Sequence, residues 1–238
     1  MAISVDTVYK TVLLILNKEQ RGYMTPDEFN KIGQQVQLEI FEKYFEDLNQ
    51  IVRAPQTDAD YADRLSYLEE KLSVFEKIGV DESVTGTGTI SLTNLNVHRL
   101  NTVTYNDIEL QKVGRKEYYN IIKSPLTKPT LSHPIYLQEG GFLKIEPAGN
   151  TDVTKNVDKV DISYISKPSD IEWAFTVDPN LDIFVYDDDE ATAFDLHSSE
   201  QVEVILRILA YAGIVIRDPQ IVQAATAQVQ QQNINEKR

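Results

Sequence analysis

An α+β fold is what this chain predicts: an N-terminal helical hairpin or small bundle and a C-terminal helix, with an antiparallel β sandwich or barrel inserted between them. Three observations lead there. Apolar residues recur at spacings of three and four from Val5 to Phe75, the period of a helix with one buried face. Near residue 80 the chain changes to short stretches rich in threonine and valine and punctuated by glycine, asparagine and proline, which is strand and turn chemistry. A helical period returns after Ser199. The expected organisation is a helical region over 1–80, a β-rich insertion over 81–196, a helix over 197–219 that returns to the helical region, and an extension over 220–238.

The first helix puts Val5, Val8, Tyr9, Val12, Leu13 and Leu16 on one face and closes in the polar stretch Asn17 to Gly22. The second has the best-marked start in the chain. In Thr25-Pro26-Asp27-Glu28 a threonine can cap, a proline occupies the first turn where its missing N–H costs nothing, and a glutamate is placed for a capping box. Phe29, Ile32, Val36, Ile40, Tyr44, Leu48 and Ile51 carry the stripe onward until Pro55 interrupts it, a length of about 40 Å at 1.5 Å per residue. A third helix aligns Tyr61, Leu65, Leu68, Leu72 and Phe75, a narrow seam suited to a long neighbour.

In the middle, Val84 to Leu92 alternates small polar and apolar residues and reads as a strand. Further strands are expected at Leu100 to Tyr105, Pro134 to Gln138, Phe142 to Glu146, Val160 to Ser166 and Ile183 to Tyr186, with a short helix over Arg115 to Ile122. Ser198 or Ser199 can cap a last helix in which Val202, Ile205, Leu206, Leu209 and Ala212 face a core, and Asp218-Pro219 punctuates its end. Gln220 to Arg238 is rich in alanine and glutamine with sparse apolar residues. It is compatible with helix but has too little apolar surface to pack alone, so disorder or a borrowed surface are the two options.

Composition excludes more than it assigns. Against 37 acidic residues stand 23 basic ones, a formal net charge of −14, so the average surface repels nucleic acid phosphates and sequence-specific binding of DNA or RNA is not expected. The absence of cysteine removes disulfides, thiolate zinc sites and cysteine nucleophiles. Only His98, His133 and His197 are available for metal or general-base chemistry. The opening Met-Ala-Ile-Ser-Val-Asp lacks the features of a secretory leader, so the chain is expected to stay where it is made. Val202 to Ile216, the most apolar stretch, is interrupted by Glu203 and Arg207 and reads as a buried helix, not a membrane span.

Several residue clusters admit both a functional and a plainer reading. Asp187, Asp188, Asp189 and Glu190 concentrate potential hard-metal ligands, but lack the spacing and the turn glycine of a calcium loop; they read as a solvated loop or a subunit contact. Asp178, Asp182 and Asp195 complete a site only if the fold brings them in. His133 with Ser124 or Ser132 has no nucleophile-elbow motif around it. Gly86 and Gly88 lack the third glycine, the basic residue and the helix of a phosphate cradle. Lys112, Arg115 and Lys116, with Lys123 and Lys128 nearby, form the one locally basic region, interleaved with Tyr118 and Tyr119. That pattern can hold single-stranded nucleic acid, and salt bridges to an acid-rich neighbouring copy explain it better. No catalytic residue, metal or cofactor is expected.

The segment Thr7 to Asn30, containing Leu-Asn-Lys-Glu-Gln-Arg-Gly-Tyr-Met-Thr-Pro-Asp-Glu-Phe-Asn, and Gln37 to Phe45, Gln-Leu-Glu-Ile-Phe-Glu-Lys-Tyr-Phe, resemble the start of structural proteins of crAss-like phages of Bacteroidales. The order of parts is similar to the head–tail adaptor, or tail tubular, proteins of short-tailed phages. Ser132 to Tyr136, Leu143 to Pro147 and Asp161 to Ile165 look like successive strands of such proteins. The resemblance implies a ring of twelve copies below the portal protein, in contact with other tail ring proteins, assembled in the host cytoplasm and carried in the virion. Genomic DNA would pass through the ring without specific binding, and no membrane would be involved. By the same resemblance Gln220, Ile221, Val222, Gln223, Val229, Gln230 and Ile234 would reach the portal. Ring closure needs two different complementary faces, and Lys112, Arg115 and Lys116 against Asp187 to Glu190 are the candidate pair. Rival readings are a different virion part (a distal tail ring, capsid accessory or cargo protein), a carbohydrate- or protein-binding module with Tyr136, Tyr164, Trp173 and Tyr186 as an aromatic platform, and, last, metal-dependent hydrolysis at the aspartate run.

Overall fold

A computed structural model describes residues 3–18, 23–53, 59–149, 154, 156–178, 183–216 and 219–236. In chain order the elements are α1 (Val5–Lys18), α2 (Pro26–Arg53), α3 (Ala59–Ser73), β1 (Glu76–Ser83), β2 (Thr89–Ser91), β3 (Val97–Tyr105), β4 (Ile108–Glu109), β5 (Gln111–Lys112), α4 (Arg115–Lys123), β6 (Ile135–Glu139), β7 (Phe142–Glu146), β8 (Lys159–Ser166), β9 (Phe175–Asp178), β10 (Ile183–Tyr186), α5 (Gln201–Ile216) and α6 (Pro219–Glu236). The fold is α+β, and the chain divides into two compact units, 1–74 with 168–238, and 75–167.

The helical unit begins as the periodicity predicts. Val5, Val8, Val12 and Leu16 bury one face of α1, and Phe29, Val36, Ile40, Phe41 and Tyr44 that of α2. The capping box closes: the Glu28 carboxylate accepts from the Thr25 N–H at 2.9 Å while Thr25 Oγ1 accepts from the Glu28 N–H at 3.4 Å. Hydrogen bonds donated to the Glu28 carboxylate by the Thr25 N–H and then its hydroxyl hold that carboxyl below its ordinary pKa. Gly22 and Pro55, expected to end α1 and α2, lie outside the described residues.

A polar stripe on α2 binds the returning chain. Asn30 brackets the backbone of Trp173, accepting its N–H at 2.9 Å and donating to its carbonyl at 3.4 Å. Gln34 donates to the Asp170 carboxylate. Gln37, only 1% exposed, donates to the Ser169 carbonyl at 2.7 Å and accepts the Asp195 N–H at 2.9 Å. Spacings of four and three put all three on one helix face. Between them Gly33 admits Ile171, whose Cδ1 would lie 2.4 Å from any Cβ there. Residues 168–196 therefore belong with the helices, and the boundary expected at 196 falls at Lys167.

Four local expectations are corrected. Helix α3 stops at Ser73, and Phe75 joins the second unit, where its carbonyl accepts from the Ser166 N–H at 2.9 Å. The cap before α5 is His197, whose ring nitrogen accepts from the Ser199 N–H, so Ser198 and Ser199 lie inside the 3-10 turn. Val202 is 59% exposed; the buried face of α5 is Val204, Ile208, Leu209 and Ala212. The face is rotated because Glu203 turns inward, 1% exposed, to meet Lys43 and Arg207. Fourth, among the described residues β10 pairs with β9 alone, and it belongs to this unit, not to the insertion.

The second unit is a β sandwich. One sheet has the order β1-β8-β3-β4 and the other β2-β7-β6-β5, antiparallel except for the parallel β5·β6 pair. Val103, Val160, Ile162 and Tyr164 of the first sheet share one buried cluster with Ile90, Tyr136, Leu143 and Ile145 of the second. The short helix α4 seats Tyr118 against Val113, Ile135 and Leu137. Within the stretch Val84 to Leu92 only Thr89–Ser91 is a strand. The threonines instead form a hydroxyl-bonded turn, with Thr85 Oγ1 donating to the Thr89 carbonyl at 3.0 Å. Gly88 there has φ +78°, and a Cβ would lie 2.4 Å from the Ile145 carbonyl oxygen. The Gly-x-Gly is a turn requirement.

Candidate interaction surfaces

Two ion-pair sites with buried carboxylates lie in the helical unit. Lys71 Nζ lies 2.5 Å from Glu200, the two side chains being 4% and 2% exposed, and the ammonium also stands 4.4 Å from the Tyr67 ring centroid. The second site is a network. Glu203 accepts from Lys43 at 3.2 Å and from Arg207 at 2.5 Å; Arg207 also reaches Glu39 at 3.4 Å, and Glu39 accepts from the Tyr211 hydroxyl. Burial alone would push the Glu203 carboxyl up, but Lys43 and Arg207 outweigh it and hold it below the ordinary carboxylate range. The hydrogen bond to Glu39 and burial push the Tyr211 phenol up.

This network adjoins the C-terminal helix. Glu39, Arg207, Tyr211, Thr226, Val229 and Gln230 line a cavity of about 370 Å³. The extension over 220–238 is thus largely helix, α6, lying along α5 with Ala225 buried. Of the residues expected to reach a portal, Gln223 and Gln230 are exposed and Val229 is half-buried. Gln220, Ile221, Val222 and Ile234 lie on α6, with side chains outside the described residues.

The acidic run follows β10 as a turn. Asp187 is half-buried, Asp188, Asp189 and Glu190 are exposed, and Asp187 accepts the Asp189 N–H at 3.2 Å. Asp195 is engaged elsewhere, accepting from the Ser169 N–H at 2.8 Å, the Asp178 side chain lies outside the described residues, as does Asp182. Among the described residues no group of three or more His, Asp or Glu is placed to hold a metal ion. His133 closes a turn by donating its N–H to the Thr130 carbonyl at 3.0 Å. Tyr136, Tyr164 and Trp173 are 6% exposed or less and Tyr186 is half-buried, so three of the four residues of the expected aromatic platform are core.

The basic residues surround α4. Lys112 donates to Gln138 at 3.0 Å and Arg115 pairs with Glu139 at 3.2 Å, both exposed. Lys116, Tyr119, Asn120 and Lys123 are exposed on the helix itself. The Tyr118 hydroxyl is buried and donates to Glu146 at 3.0 Å; burial, then that carboxylate, push its pKa up.

Charge divides between the units in a way the whole-chain figure hides. Phe75–Lys167 contains 11 basic and 11 acidic residues of the chain's 23 and 37, so the remainder holds 12 and 26, and the helical unit carries the entire net −14. No helix among the described residues is long and apolar enough to cross a membrane. No protein-family model and no curated protein matches the chain.

Proposed function

We propose that this chain is a non-enzymatic structural subunit of a phage head–tail connector, forming a ring between the portal protein and the tail around the DNA exit channel. The setting rests on the resemblance of Thr7–Asn30 and Gln37–Phe45. The observation that carries assembly is the charge split: a neutral sandwich joined in one chain to a helical unit of net charge −14. Like faces of two helical units repel, whereas the helical unit of one copy meets the neutral unit of the next without that cost. Such head-to-tail contacts are heterologous and can close into rings. An acidic lining would also let DNA pass without retaining it, because each neutralised phosphate adds affinity. In this reading α6, with Gln223, Val229 and Gln230 outward or at the cavity rim, is the portal-facing element, and twelve copies would match the portal.

The test is the mass of the purified chain, alone and mixed with the portal protein of the same phage, by native mass spectrometry. A ring-sized species in either sample is the expected result. A strict monomer that does not bind the portal would refute the connector reading and favour a more distal virion part or a binding module.

A further inference from the structure

The hairpin β9–β10 has one apolar face and one mixed face. Antiparallel register pairs Phe184 with Val177 and Tyr186 with Phe175, which puts these four on one face, and pairs Ile183 with Asp178 and Val185 with Thr176 at the positions of the other. The first face is anchored by a run of aromatic rings. Centroids are 4.9 Å apart for Phe175 and Phe184, 6.0 Å for Trp173 and Phe175, 5.5 Å for Trp173 and Tyr186, and 4.5 Å for Trp173 and Tyr9. The anchor does not cover the hairpin. Val177 is 48% exposed, Phe184 41%, and on the opposite face Ile183 is 49% and Val185 45% exposed.

A two-stranded sheet leaves each strand one unpaired edge, and apolar side chains exposed along it mark a contact site. What covers it must suit the turn that follows. Tyr186 ties that turn to the hairpin by donating to Asp188 at 3.2 Å, so the apolar surface ends in the exposed carboxylates of Asp188, Asp189 and Glu190. The complement is an apolar surface bordered by cations.

The second unit has one. On α4, Lys116, Tyr119, Asn120 and Lys123 occupy one exposed face, and three residues beyond the helix Leu126 is 97% exposed. Tyr119 is 45% exposed, its ring edge-on to the buried Tyr118 at 5.5 Å. We propose that the β9–β10 hairpin, with its acidic turn, docks on this α4 face of a second copy of the chain. The inference deepens the connector reading and rests on it. Charge decides between occupants: a hairpin-to-hairpin contact would oppose two acidic turns on two units that each carry −14, whereas α4 brings lysines to the carboxylates and Tyr119 and Leu126 to Val185 and Ile183.

The cysteine-free chain allows a cross-linking test without background. Val185→Cys and Asn120→Cys chains, each folded as judged by circular dichroism, are oxidised separately and as a mixture and run on a non-reducing gel. The expected result is a disulfide-linked dimer in the mixture, little in either variant alone, and loss of the ring-sized species in Val185→Glu. A strong dimer from Val185→Cys alone would overturn the proposal in favour of a hairpin-to-hairpin contact. Normal assembly of the mixture without cross-linking, or of Val185→Glu, would overturn it while leaving the connector reading standing. If the unmodified chain neither self-associates nor binds the portal, the connector reading fails and this inference with it.

Discussion

Replacing Gln37 with methionine preserves the length and burial of the side chain and removes the two hydrogen bonds that Gln37 contributes to α2's hold on the returning chain. The Ser169 carbonyl loses a donor at 2.7 Å and the Asp195 N–H an acceptor at 2.9 Å. Each bond contributes about 1 kcal/mol net, and each group left unsatisfied in a buried place costs about 1–3 kcal/mol. Ser169 is exposed and regains water, whereas the Asp195 N–H faces the 1%-exposed Gln37 side chain, so the expected loss is about 2–4 kcal/mol. The chain's single tryptophan, Trp173, is 4% exposed and accepts from and donates to Asn30 on the same stripe, so its fluorescence reports on this unit during urea unfolding. With a slope of about 2 kcal/mol per molar urea, the midpoint should fall by about 1–2 M. Gln34→Met is the control: its bond to Asp170 is exposed, and its loss should cost under about 1 kcal/mol. A Gln37→Met midpoint equal to wild type, or a Gln34→Met loss as large, would refute the assignment of the stripe as a clamp.

Lys71→Met removes the ammonium that pairs with the buried Glu200 carboxylate and should cost about 3–5 kcal/mol, much of it recovered in Lys71→Met with Glu200→Leu; urea midpoints of the single and double variants decide. Gly88→Ala places a Cβ against the Ile145 carbonyl at φ +78° and should destabilise the sandwich by about 2 kcal/mol or more, read by amide exchange in residues 75–167. The Glu203 carboxyl is depressed in the folded chain. Its contribution is therefore fully present above the unfolded glutamate pKa of about 4.3 and is lost as pH falls through the lower folded value. Glu203→Gln should flatten the acid side of the stability profile by Trp173 fluorescence, and an unchanged acid limb would remove Glu203 as its source.

Much of the helical unit was legible because its signals are local. Thr25 and Glu28 are three residues apart, and the stripe through Phe29, Val36 and Ile40 follows from one period. The clamp was not, since Asn30, Gln34 and Gln37 look like a solvated face until partners more than 130 residues away arrive. Strand β1 was missed for a similar reason. Its apolar residues Ile78 and Val80 are 70% and 66% exposed on a sheet edge, and the charges around them, Glu76, Lys77, Asp81 and Glu82, hide the alternation of a strand. For the candidate surfaces, sequence identified the acidic run and the basic patch, and it identified Ile183 to Tyr186 as a strand. It could not assign that strand to a unit, because pairing with Phe175–Asp178 and stacking toward Trp173 are long-range choices that alternation does not encode.

Salt offers a separate handle on how copies meet. Contacts between like-charged helical units are repulsive, so added salt, by shortening the screening length from about 8 Å at 0.15 M to about 3 Å at 1 M, would strengthen them. A contact between the carboxylates of Asp188, Asp189 and Glu190 and the ammonium groups of Lys116 and Lys123 is attractive and would weaken. The apolar share from Ile183, Val185, Tyr119 and Leu126 changes little or gains slightly in excluded salts. For the hairpin-to-α4 contact the oligomer should therefore form more slowly and dissociate partly as salt rises, without disappearing, because charge governs encounter more than final affinity. The sign of that trend separates the two geometries before any residue is changed: association that only grows with salt would mean that like faces are meeting, and the head-to-tail arrangement would have to be abandoned.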